Sequence, residues 1–280
     1  MLEIVDEARR RGVDATLDLY PYTASSTGTS AMFPQWSMAG GAKALRERLM
    51  APETRAKIKA EVVAVLREGR GAGDARNVVM AACGFDPKLA GKSLAMLTRE
   101  AGLEATLENA AETAIGIQLQ GGCSAVYHAM DEADVERFLR APYTMIASDG
   151  ELLAPGRTMP HPRSYGAFAR VLRRYVRERK TISLEEAVRK MSSLPAARFG
   201  LRDRGVLRPG MKADIAVFDP AVAGDTATYE RPHSYAVGFQ HVIVNGRAVI
   251  LNGKVTGARP GRVLTGPGFA GGVAPGGIAR

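Results

Sequence analysis

Up to about residue 200 the apolar residues of this chain recur at strand and helix spacings by turns, and beyond residue 204 only the strand spacing is left. That change of period divides the 280 residues into a mixed part and an all-β part. In the mixed part, "DATLDLYPY" (14–22) alternates Ala15, Leu17 and Leu19 with Thr16, Asp18 and Tyr20, and Pro21 ends the strand. The stretches "RNVVMAACG" (76–84), "CSAVYHAM" (123–130) and "YTMIASDG" (143–150) read as further strands. Helical patterns lie at 42–69, broken near Pro52, at 91–120 around Gly102, and at 131–142 with Asp131 as N-cap. Helices at about 165–179 and 184–193 follow, the second opened by a capping box of Ser183 and Glu186. This alternation predicts a parallel α/β architecture. In the all-β part, Asn245-Gly246 and Asn252-Gly253 each separate two apolar runs, a hairpin signal, so a small β unit is expected at 204–264. The tail 265–280 is rich in Gly and Pro and reads as disordered.

Composition excludes some classes of function. No apolar run approaches the ~18 residues of a membrane span, so no membrane partner is expected. The opening "MLEIVDEARRRG" reads as an amphipathic helix with Leu2, Val5 and Ala8 on one side, not as a signal peptide. Cys83 and Cys123 fit no metal spacing and read as reduced thiols, which points to the cytoplasm. The net charge of +9 is concentrated in "RVLRRYVRERK" (170–180) and "GARPGR" (257–262). No nucleic-acid motif accompanies it, so it reads as a solvated face and no nucleic-acid partner is expected.

Several stretches carry a resemblance. "GVLRPGMKADIAVFDP" resembles the segment where amidohydrolases leave their barrel for a small β-sandwich. Together with "DLYPYTASST" (18–27), "MDEADVERFL" (130–139), "IASDG" (146–150), "HPRSYGAFARVLRRYVRE" (161–178) and "SLEEAVRKMSSLPAARFGL" (183–201), it is similar to the N-acyl-D-amino-acid deacylases, or D-aminoacylases, over most of residues 1–264. The resemblance implies a TIM-like (β/α) barrel that binds zinc (Zn2+) and hydrolyses the amide of an N-acyl-D-amino acid. It implies that residues 1–203 are the C-terminal part of that barrel, with a helical insertion at about 33–120, and that 204–264 is the β-sandwich part. A complete barrel takes roughly 250 residues. About 200 precede the β unit, so the expected fold is a partial barrel, truncated, weak or inactive by itself. The runner-up is a non-catalytic remnant or interaction module that needs a second chain, or self-association, to complete the barrel.

Asp149 ends a barrel-type strand, where such folds place their active sites. By resemblance it is the catalytic proton shuttle and a metal ligand; on its residues alone, Ser148-Asp149-Gly150 is equally a turn. Arg163 matches the arginine that grips the substrate α-carboxylate, a task suited to a planar fork of donors. Tyr20 and Ser26 match substrate-lining positions, with Tyr22 as the alternative if the register slips. Glu151 would place a negative charge near the acyl or side-chain pocket. The family's His-x-His pair, Cys and two further His ligands have no match among His128, His161, His233 and His241, so zinc ligands besides Asp149 are expected to be absent. His161 reads as structural, His128 is open to either reading, and His233 and His241 read as packing or surface residues.

Overall fold

The structure, a computed structural model, describes residues 1–265. The expectation for the tail therefore lies outside the described residues, except at Thr265. In chain order, α1 (Leu2–Arg10) leads into β1 (Leu17–Leu19) and β2 (Ser25–Gly28). Next come α2 (Gln35–Met38), α3 (Gly41–Met50) and α4 (Pro52–Glu68). They are followed by β3 (Val78–Cys83), α5 (Leu94–Glu100), α6 (Leu107–Leu119) and β4 (Cys123–Tyr127). Then come α7 (Glu132–Arg140), β5 (Thr144–Ile146), α8 (Arg163–Arg170), α9 (Leu184–Met191) and α10 (Ser193–Arg198). The chain ends in β6 (Ile215–Phe218), β7 (Phe239–Val244), β8 (Arg247–Leu251) and β9 (Lys254–Val255).

The chain is mixed α/β, but its strands do not form one parallel sheet. Among the described residues only β1 and β5 run parallel, paired from Leu17 with Thr144 to Leu19 with Ile146. β2, β4 and β3 form an antiparallel sheet in that order, with Ser25 opposite Tyr127. The expectation of a parallel architecture throughout 1–200 is corrected here, because apolar period finds strands without giving their direction. β6 to β9 form one four-stranded antiparallel meander. Its two hairpin turns put Asn245-Gly246 and Asn252-Gly253 at positive φ, which Asn and Gly tolerate best.

The residues from β2 to β4 enclose their own core. Ile58, Val62 and Leu66 make an i, i+4, i+8 stripe on α4. The stripe meets α6, whose Ala110, Ala111 and Ala114 let the two helices approach closely. Pro52 sits in the first turn of α4, where its missing N–H has no helical partner to lose. Cys83 and Cys123 face each other on β3 and β4 and are joined in a disulfide. The reading of two reduced thiols is therefore corrected. Residues 40 apart in sequence are cross-strand neighbours in space, which spacing alone does not show. The observation on which a cytoplasmic location rested goes with it. Among the described residues no helix is long and apolar enough to cross a membrane.

Around β1 and β5 the packing is more polar. α8 continues as π-helix over Val171–Glu178, and its arginines are taken up within the chain. Arg173 Nε donates to Asp225 Oδ1 at 2.7 Å, and Arg174 Nη2 to Glu132 Oε2 at 2.7 Å. Arg179 pairs with Glu136, and Arg177 Nη1 donates to the carbonyls of Pro220 and Ala223. Lys190 of α9 is fully buried and donates to the carbonyls of Ala141 and, at 3.0 Å, Thr144, holding the start of β5.

Candidate active site

The Ser148-Asp149-Gly150 turn after β5 has a specific steric origin. Asp149 takes φ +46°, a left-handed conformation that short polar residues tolerate better than most. A Cβ on Gly150 would lie 2.9 Å from Ser164 Cα, so glycine alone lets the turn press against the start of α8. That contact brings Asp149 beside Arg163, the first residue of α8.

Arg163 gathers the residues singled out in the sequence. Its Nη2 lies 2.8 Å from Asp149 Oδ2 and donates to the Ser26 carbonyl at 3.3 Å. Its guanidinium carbon sits 4.7 Å from the centroid of the Tyr20 ring, a cation–π geometry. Arg163 is buried, whereas the Asp149 side chain is 65% exposed. One end of the pair is thus fixed and the other faces solvent. Ser26 contributes its carbonyl to this contact. Tyr20 is half-buried and its hydroxyl lies 3.7 Å from Met130 Sδ. Burial raises the Tyr20 phenol above its ordinary value, opposed by the charge of Arg163 and reinforced by that of Asp149. Tyr22, the register alternative, is a core residue with a buried hydroxyl and lies edge-on to His161 at 4.9 Å.

His161 supports Arg163 from behind. Its Nδ1 accepts from the Arg163 backbone N–H at 3.0 Å, so its other nitrogen, Nε2, donates to the Ala24 carbonyl at 2.9 Å. Burial pushes its pKa down to about 3, keeping the ring neutral. His128 packs edge-on against Tyr229 at 4.6 Å, and burial lowers its pKa as well. His233 links Tyr165 Oη, 2.8 Å from Nδ1, to the Thr158 carbonyl, 2.8 Å from Nε2. His241 accepts from the Asn252 N–H. Glu151 is exposed, and its N–H donates to Ser164 Oγ.

Sequence reasoning missed the segment between β6 and β7. There Asp225 is buried between Arg170 and Arg173, and Tyr229 packs on His128, His161 and Tyr22. No periodic signal marks these residues, because they lie in irregular chain. Among the described residues no three His, Cys, Asp or Glu side chains gather as a metal cage. The described side chains therefore do not fit a metal centre on their own. What they form is an arginine fork, a carboxylate open to solvent and a phenol, suited to holding one carboxylate and moving one proton.

Residues 114–250 match the Amidohydrolase family. Over 260 residues the chain is 36% identical to an N-acyl-D-glutamate deacylase of Alcaligenes xylosoxydans xylosoxydans, covering 93% of this chain and 43% of that one. It is 44% identical over 185 residues to an N-acyl-D-aspartate deacylase of the same organism, covering 66% and 34%. The crystal structure of N-acyl-D-glutamate deacylase from Bordetella bronchiseptica, complexed with zinc and a phosphonate mimic of the tetrahedral intermediate, superposes with a TM-score of 0.65. That match has 33% identity and covers 89% of this chain and 42% of that one. The chain thus spans less than half the length of these relatives. With the sequence and fold matches agreeing, the chain belongs to the amidohydrolase family and is similar to its N-acyl-D-amino-acid deacylases.

Proposed function

We propose that this chain is part of an amidohydrolase that cleaves N-acyl-D-amino acids into a carboxylate and a free D-amino acid. The observation that carries the reading is the single contact set of Arg163 with Asp149, Ser26 and Tyr20. Arg163 holds the substrate α-carboxylate through its fork, fixed by His161 at its backbone N–H. Tyr20 Oη hydrogen-bonds the scissile carbonyl oxygen as negative charge develops there. Water adds to the acyl carbon and Asp149 accepts its proton. As the carbon–nitrogen bond breaks, Asp149 returns that proton to the nitrogen. The zinc in the Bordetella relative supports a metal-dependent reaction. Apart from Asp149, which is our candidate for one ligand, we assign its ligands to polypeptide outside these 280 residues.

A second reading is a non-catalytic module that a further chain completes. It is favoured because β1 and β5 pair only with each other among the described residues, leaving two open edges. We expect the 280-residue chain alone to bind N-acetyl-D-amino acids, to hold zinc poorly and to turn over slowly or not at all. Titration followed by NMR checks the reading: an N-acetyl-D-amino acid should bind more tightly than its L enantiomer, and Arg163→Gln should abolish binding. Equal affinity for the enantiomers, or full binding by the variant, overturns it. Stoichiometric zinc by elemental analysis, with brisk turnover lost in Asp149→Ala, overturns the expectation that the chain is incomplete.

A further inference from the structure

We propose that the segment between β6 and β7 positions two groups of this site: Tyr229 acts on Arg163 through His161, and Asp225 acts on Tyr20 through Arg170. The inference rests on the function proposed above and adds positioning residues to its site.

The segment is itself fixed. Gly224 and Val237 exchange backbone hydrogen bonds of 3.2 and 2.9 Å, which close its base. Gly238 stands at φ +81°, and a Cβ there would lie 2.5 Å from Ala223, so this closure needs glycine. Between its ends the segment lies against α8, the helix that Arg163 opens. His233 Nδ1 is 2.8 Å from Tyr165 Oη. A Cβ on Gly166 would lie 2.8 Å from Asp225 Cβ, so helix and segment approach as closely as glycine allows.

The first arm runs through His161. Both of its nitrogens are engaged, Nδ1 by the Arg163 N–H and Nε2 by the Ala24 carbonyl, and these two bonds hold the ring in its plane. Tilt about the line between them is limited by two rings set edge-on, Tyr22 at 4.9 Å and Tyr229 at 5.2 Å. A tilted imidazole would turn its lone pair away from the Arg163 N–H. The Tyr229 hydroxyl is buried and meets no hydrogen-bond partner of normal geometry among the described residues, so the ring carries the role. The second arm runs through Arg170. The fully buried Asp225 side chain holds Arg170 Nη1 at 3.4 Å. Arg170 Nε in turn donates to the Pro21 carbonyl at 2.8 Å, and its guanidinium carbon lies 4.7 Å from the centroid of the Tyr22 ring. Pro21 is bonded to Tyr20, so this arm fixes the chain beside the phenol. Both arms leave one segment, and together they set Arg163 and Tyr20 relative to each other.

The test is a double-mutant cycle read by NMR titration of N-acetyl-D-alanine into the 280-residue chain. Tyr229→Leu should weaken binding roughly two- to ten-fold, the worth of one aromatic pair. Tyr229→Phe should bind as the wild type does. His161→Gln should weaken binding too, and adding Tyr229→Leu to it should cost nothing further. In side-chain nitrogen spectra His161 should carry its proton on Nε2 in the wild type and in Tyr229→Phe, and share it between both nitrogens in Tyr229→Leu. Arg170→Lys keeps a charge beside Asp225 but has no Nε–H for Pro21, and it should weaken binding by a similar factor. If Tyr229→Leu does not fold, Tyr229→Met, whose flexible side chain fills irregular space, takes its place with the same expected results. Losses that add in the double variant, an unchanged His161 tautomer, or wild-type affinity in Tyr229→Leu overturn the role of Tyr229 and leave the proposed function standing. Wild-type affinity in Arg170→Lys overturns the second arm in the same way. A wild-type chain that binds N-acetyl-D-alanine no better than its L enantiomer overturns the proposed function, and the positioning with it.

Discussion

Between β2 and β4, twenty-three buried side chains join in one core, and none of them is charged. Around β1 and β5 the corresponding core has eight, and buried polar ties supplement it: Lys190 on the Ala141 and Thr144 carbonyls, and Asp225 on Arg170 and Arg173. The first region is held by apolar burial, which is non-directional and indifferent to pH. The second depends on charged hydrogen bonds whose strength follows protonation and geometry. The difference teaches where function can sit. The apolar body is closed on itself, and the open carboxylate of Asp149 belongs to the region with few apolar contacts and open strand edges.

Trp36, the one tryptophan of the chain, lies in α2 of the apolar body, and its indole N–H donates to Glu61. Its fluorescence therefore separates the two regions in unfolding experiments. The largest effect should come from reducing Cys83–Cys123. Closing a loop of 40 residues stabilises by about 4 kcal/mol in the chain-entropy model. Reduction should move the Trp36 transition to lower urea, and thiol titration of the untreated chain should find no free thiol. Asp225→Asn comes next: removing the charge between two arginines should weaken the other region by roughly 3 kcal/mol. In that variant far-UV circular dichroism should shift while Trp36 does not, and a common shift would erase the distinction between the regions.

The smallest effect, taken per pH unit, concerns pH. His161 titrates near 6.5 when unfolded and about 3 in the fold, so between those values the unfolded chain binds more protons. Stability of the second region should then fall with falling pH below about 6.5, by at most about 1.4 kcal/mol per unit for this group. The carboxylates that arginines hold below 4.5 against the opposing effect of burial, Glu132 and Glu136 among them, add their loss only at lower pH. His161→Gln should flatten the dependence between pH 6.5 and 4.5, leaving the smaller share of His128, whose pKa is also lowered. An unchanged slope would remove His161 as its source.

Much of the fold could be read locally. The strand at 17–19, the helix break at Pro52, the Asp131 and Ser183 caps and both Asn-Gly turns are each specified by a few adjacent residues. Pairing was not legible, because the direction of β3 and β4 and the facing of Cys83 and Cys123 depend on residues far apart in sequence. For the candidate site, motif resemblance supplied Tyr20, Ser26, Asp149 and Arg163, and the structure brings these four together. The contact of Asp149 with Arg163 itself had no signal, nor did Asp225 or Tyr229, which reach their places through irregular chain without a period.

Ser25 and Tyr127 stand opposite each other, so the chain goes into the apolar body and comes out of it at one rung of the sheet. Such a doorway has an evolutionary consequence. A stretch entered and left at one rung can change in length at small entropic cost to the strands on either side of it.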